Sequence, residues 1–100
     1  MAQEKNFENR IKRFLDEQGV WYVKFFANGF TKRGIPDLLC CVNGHFVAIE
    51  VKAERGELSE LQEIQLQQIY EAGGTAMVVK PNEFDQFKEF IMELKCKAVK

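Results

Sequence analysis

The dipeptide Asn43-Gly44 constrains the fold more than any other feature of the chain. Both residues tolerate the positive φ of a type I′ turn, and the flanking segments, residues 37–42 and 45–52, are mostly apolar. They are therefore expected to form the two strands of a hairpin. Side chains alternate along a strand, so Val47, Ile49 and Val51 share one face and Ala48, Glu50 and Lys52 the other. The first set reads as core. The second places an acid and an amine side by side at the end of the strand.

The rest of the chain supplies elements to pack against this hairpin. Residues 4–18 carry Phe7, Ile11, Phe14 and Leu15 at helical spacing, and Gly19 is a natural stop. Residues 20–26 are dominated by β-branched and aromatic side chains and predict a strand, with Lys24 as its one charge and Trp21 and Tyr22 as packing residues. A polar, basic loop follows over residues 28–34, and Pro36 pushes Ile35 toward an extended conformation. Residues 59–72 predict a helix with Leu58, Leu61, Ile69 and Ala72 on its buried side and Ile64 nearby. Its N-cap is Ser59, and Gln62 stands three residues on, as a capping box requires. Residues 75–79 form a short apolar run suited to a covered, central strand. Phe84, Phe87, Ile91 and Leu94 then mark a last helix. The order is αβββαβα: an α/β fold with a mixed central sheet flanked by helices, in one domain spanning residues 1–100.

Composition narrows the function only indirectly. Net charge is −1, so gross charge does not announce a nucleic-acid binder. Its distribution says more: residues 1–36 carry a net +3 and residues 37–100 a net −4. A basic segment beside an acidic site suits a phosphate backbone held over a metal ion. Cys40, Cys41 and Cys96 lack metal-binding spacing, and their odd number, without a secretion signal, points to a reducing, cytoplasmic setting. No apolar run approaches a membrane span.

Asp37, Glu50 and Lys52 carry the chemistry. If the hairpin brings Asp37 near Glu50, two hard oxygen ligands converge, a set that suits Mg²⁺ or Mn²⁺, with the backbone carbonyl of Val51 as a further donor. Phosphodiester hydrolysis needs such a cation to polarise a phosphate oxygen and acidify water. Lys52 would orient the water or offset charge in the transition state. Thr31, Lys32 and Arg33, with Lys24 and Arg55, are candidates for contact with the DNA backbone. Glu-x-Lys alone is common; the preceding Gly34-Ile35-Pro36-Asp37 and the following Leu58-Ser59-x-x-Gln62 give it meaning.

These pieces together, Gly34-Ile35-Pro36-Asp37-Leu38, Glu50-Val51-Lys52 and Leu58-Ser59-Glu60-Leu61-Gln62, resemble the virus-type replication-repair nuclease (VRR-NUC) family, within the restriction-endonuclease-like PD-(D/E)xK superfamily. The resemblance runs from Glu8 to Gly74 and the strand after it. It implies that Asp37 and Glu50 bind metal, that Lys52 is catalytic, that Glu8 of the first helix reaches the metal site, and that Gln62 belongs to the active site. For Gln62 that role competes with the capping box. The resemblance further implies a Mg²⁺- or Mn²⁺-dependent endonuclease acting on branched or flapped DNA, a homodimer like the junction-resolving enzymes, and a standalone phage-type member. The alternatives are a non-catalytic DNA-binding module, an RNA nuclease and a structural or dimerisation protein.

Overall fold

The computed structural model describes residues 2–97. Its elements are α1 (Ala2–Glu17), β1 (Trp21–Lys24), β2 (Leu38–Val42), β3 (His45–Val51), α2 (Glu60–Glu71), β4 (Thr75–Val79), a 3-10 turn (Pro81–Glu83) and α3 (Phe84–Cys96). This is the expected αβββαβα order of the restriction-endonuclease-like topology. The turn joining β2 and β3 holds Asn43 at φ 51° and Gly44 at φ 83°, as a type I′ turn demands. The sheet is mixed and ordered β1-β2-β3-β4; β1, β2 and β3 are antiparallel neighbours and β4 runs parallel to β3.

One face of the sheet makes the core. Leu38, Cys40, Val42, Val47, Ile49, Val51 and Val79 point to it, and Phe7, Ile11, Phe14 and Leu15 of α1 and Phe84, Phe87, Ile91 and Leu94 of α3 close over them. Rings of α1 and α3 meet edge to face, Phe7 and Phe14 each on Phe84, and Phe14 on Phe87, with centroids 5.4–6.3 Å apart. Both stripes therefore bury the residues that their spacing predicts.

The other face departs from expectation in two ways. β4 is an edge strand rather than a central one. Its apolar run reports cover above and below the strand, with α2 on one face and Met77 and Val79 packed with the core on the other, and cover says nothing about hydrogen-bonded neighbours to either side. Second, α2 rests mainly on β4, and none of its residues is buried: Leu61, Ile64 and Ala72 are exposed, and Leu58, just before it, and Ile69 only half-buried. The sheet surface over β1 and β2 is left open, so Trp21, expected to pack, is 65% exposed beside Val23, Cys41 and Phe46. Tyr22, on the opposite face, does pack against the core.

β1 is shorter than the predicted 20–26, because after Lys24 the chain turns into the loop that leads to Asp37. Among the described residues, no helix is long and apolar enough to cross a membrane.

Candidate active site

The hairpin register builds the site. Val42 pairs with His45 and Leu38 with Ile49. One step further along the same register sets Asp37 across from Glu50, on the face opposite the core. Asp37 is fixed at both ends: its carbonyl accepts the Phe25 N–H at 2.8 Å, and its Oδ2 accepts the Val51 N–H, also at 2.8 Å. Two acids far apart in sequence thus become one carboxylate pair. Lys52 follows Val51, its backbone N–H held by the Val79 carbonyl at 3.1 Å, and its Nζ lies 3.6 Å from Glu50 Oε2.

Glu50 is the buried charge of the site, 3% exposed. Burial, with the Asp37 charge beside it, pushes its carboxyl up to about 8, while Lys52 pulls the other way. Lys52 does not offset burial and the Asp37 charge together, and a divalent cation would supply the further positive charge. Among the described residues no group of three or more His, Cys, Asp or Glu side chains gathers into a metal cage. Two carboxylates and a carbonyl nevertheless fit Mg²⁺, which is commonly held by one or two carboxylates and keeps several waters.

Gln62 resolves its competing roles by dividing its two atoms. Its Oε1 accepts the Ser59 N–H at 2.9 Å, completing the capping box with Ser59 Oγ, which accepts the Gln62 N–H at 3.2 Å. Its Nε2 donates to Glu50 Oε2 at 3.1 Å. The cap fixes which end of the amide faces the carboxylate. Gly34 allows this docking: its φ is +81°, and a Cβ there would stand 2.5 Å from the Leu61 carbonyl oxygen. The loop before Asp37 therefore lies directly against the start of α2.

Lys24 and Glu8 form a neighbouring group. Lys24 Nζ donates to Glu8 Oε1 at 2.9 Å and to Asp37 Oδ1 at 3.4 Å, and Lys12 pairs with Glu8 Oε2 at 3.2 Å. Burial would lower the Lys24 amine, but Glu8 and Asp37 outweigh it and hold it above its ordinary value. Burial would likewise raise Glu8, and the two lysines outweigh it in the opposite direction. The ammonium of Lys24 is thus committed to two carboxylates. Its place as the one charge in an apolar strand was the signal in the sequence for such a partner. Glu8 reaches Asp37 through Lys24 rather than joining the Asp37–Glu50 pair.

Lys32 and Arg33 are exposed on the loop before Asp37, and Arg55 is exposed on the loop after Lys52. Thr31 is tied into its own turn, its hydroxyl donating to the Asn28 carbonyl at 3.1 Å. The structure therefore brings together Asp37, Glu50, Lys52 and Gln62, sets Lys24 and Glu8 alongside, and leaves Lys32, Arg33 and Arg55 at the surface.

No curated protein matches the chain. A family model does: that of the archaeal Holliday junction resolvase (Hjc), over residues 2–91. This corrects the VRR-NUC resemblance. The two are distinct families of the PD-(D/E)xK superfamily, so Pro36-Asp37 and Glu50-x-Lys52 suit either and cannot choose between them. The match extends through α1, all four strands of the sheet and part of α3, which the short motifs do not sample. The phage-type grouping rested on the corrected resemblance and goes with it. With the hairpin, the carboxylate pair and the lysine set within a match of that extent, the chain belongs to the archaeal Holliday junction resolvase (Hjc) family of nucleases.

Proposed function

We propose that this protein is a metal-dependent endonuclease that hydrolyses phosphodiester bonds in branched DNA, with the four-way junction as its foremost substrate. The observation that carries the reading is the buried Glu50 facing Asp37, with Lys52 at 3.6 Å. Such a group costs stability unless it is used. Family membership supports the choice of branched DNA.

Asp37, Glu50 and the Val51 carbonyl would hold Mg²⁺ or Mn²⁺. The ion would supply Lewis-acid polarisation of the scissile phosphate and acidify water. Lys52, beside Glu50, places positive charge where negative charge accumulates as the phosphorane-like transition state forms. Gln62 holds the Glu50 carboxylate in one orientation by donating to Oε2. Lys24 holds Asp37 Oδ1, and Asp37 Oδ2 is held by the Val51 N–H. Lys32, Arg33 and Arg55 would bear on the DNA backbone and set its position without reading sequence.

The same reading includes a homodimer. Its support is the apolar surface over β1 and β2, where Trp21 and Val23 are exposed, with Phe46 of β3 exposed as well. A second copy covering that face would set two active sites on one junction. Light scattering tests it: a dimer mass for the wild type and a monomer mass for Trp21→Glu support this face, and a monomer mass for the wild type at assay concentration, with and without DNA, removes the dimer.

The test of the activity is a cleavage panel of four-way, flapped, splayed, duplex and single-stranded DNA with matched RNA, in Mg²⁺ and Mn²⁺. Cutting of branched DNA that needs the metal and drops by at least about 10²-fold in Asp37→Ala supports the reading. A folded wild type that cuts no nucleic acid with either ion refutes it.

A further inference from the structure

Phe30 stands at the tip of the loop between β1 and β2, and its side chain is 100% exposed. A phenyl ring wholly in water gains nothing for the fold, since no apolar area is removed from solvent. The tip is nevertheless ordered by its own hydrogen bonds. The Phe30 N–H donates to Asn28 Oδ1 at 2.7 Å, the Asn28 N–H to Thr31 Oγ1 at 3.0 Å and the Thr31 N–H to the Asn28 carbonyl at 3.3 Å. The ring is thus presented outward on a closed turn, which lowers the ordering cost of a contact made there.

The surroundings indicate the class of partner. Lys32 and Arg33 stand two and three residues after the ring, both on the surface, and among the described residues neither makes an ion pair or a side-chain hydrogen bond. Four residues before Phe30, Phe26 is also exposed and lines a cleft of about 240 Å³ with Asp37, Glu8 and Lys24. An aromatic tip, two free cations and then the carboxylate pair make a surface that matches a polyanion carrying flat apolar faces. In an intact duplex those faces are hidden in the stack; at a branch point they can be reached.

We infer that Phe30 stacks on a base laid open at the branch point of the DNA, and so acts as a positioning residue that favours branched over continuous substrate. Lys32 and Arg33 hold the adjoining phosphates. This rests on the proposed activity on branched DNA.

The experiment uses the full chain in EDTA, so that binding is read without cleavage. Its probes are a four-way junction with 2-aminopurine at the branch and a duplex of the same sequence with the same label. The wild type is expected to change the fluorescence at the branch and not within the duplex. Phe30→Ala is expected to lose that change and to bind the junction about 5- to 150-fold more weakly, while duplex affinity moves less than about twofold. The dependence of binding on salt stays the same, because no cation is removed. Phe30→Trp keeps both the fluorescence change and the affinity. A Phe30→Ala variant with an unchanged branch signal and affinity overturns the inference, as does an equal loss on duplex and junction. Loss of dimer mass in Phe30→Ala also overturns it, since the ring would then belong to a protein contact. A wild type that binds no branched DNA overturns this inference and the proposed substrate together; binding with an indifferent Phe30 overturns the stacking alone.

Discussion

Replacing Glu50 with Gln should stabilise the metal-free protein while abolishing cleavage. The Glu50 carboxyl has an ordinary pKa of 4.5 and is raised to about 8 in the fold. Between those values the native state keeps a proton that the unfolded chain has released, so stability falls as pH rises from about 4.5 to about 8 and is level above. A tenfold change in proton affinity corresponds to about 1.4 kcal/mol, which sets a ceiling of about 5 kcal/mol on the cost of ionised Glu50. The gain on substitution is smaller. Lys52, 3.6 Å away, loses its counter-ion, and Asp37 remains beside it. A net gain of about 1–3 kcal/mol at pH 8.5 is expected, which for a domain of this size raises Tm by roughly 5–15 °C. Near pH 4.5 the two proteins should melt together. The assay is thermal unfolding in EDTA across this pH range. Adding Mg²⁺ at pH 8.5 should then raise the wild-type Tm and leave Glu50→Gln nearly unmoved, because only the wild type offers the second carboxylate. A variant that gains no stability over wild type between pH 4.5 and 8.5 would refute the reasoning: Lys52 and Gln62 would then be sufficient to hold Glu50 ionised, and burial would not be the dominant influence.

Three other sets of substitutions probe separate parts of the structure. Gly34→Ala meets the Leu61 carbonyl at 2.5 Å and a φ of +81°, and should lose about 2–4 kcal/mol in a urea titration; Gly19→Ala, with φ +70° and open space around it, should lose only about 1 kcal/mol. Gln62→Glu keeps an oxygen for the Ser59 N–H but turns a carboxylate toward Glu50, so the helix should hold within about 0.5 kcal/mol while cleavage falls at least tenfold; Gln62→Ala should lose the cap as well, about 1 kcal/mol. Lys32→Ala and Arg33→Ala should weaken junction and duplex binding alike, and each should make the plot of log affinity against log salt shallower by about one.

How far this site could be read from the sequence depends on which interactions are local. The two-residue Asn43-Gly44 turn sets Val42 against His45, and that single pairing carries Asp37 to Glu50 by simple alternation. The acid pair was therefore legible, as were the stripes of α1 and α3, whose spacing registers directly on one buried face. What was hidden depends on the far side of a contact. β4 is apolar whether it lies in the middle of a sheet or at its edge, because side chains report the layers above and below and backbone hydrogen bonds leave no mark in the sequence. The apolar positions of α2 have helical spacing but sit on a sheet face that the chain leaves half open, so periodicity alone overstated their burial. Gln62 looked like a choice between cap and active site because a motif assigns one role to one residue. An amide has a donor end and an acceptor end, and here the backbone of Ser59 takes the acceptor while Glu50 takes the donor. The capping box thereby does more than start α2: it fixes the amide so that a donor, rather than a second acceptor, faces the buried carboxylate of the site. Gly34, packed against the same helix start, ties that orientation to the loop leading into Asp37. The first turn of α2 thus orients Glu50 directly and packs on the loop that leads to Asp37, an arrangement that no single motif in the chain describes.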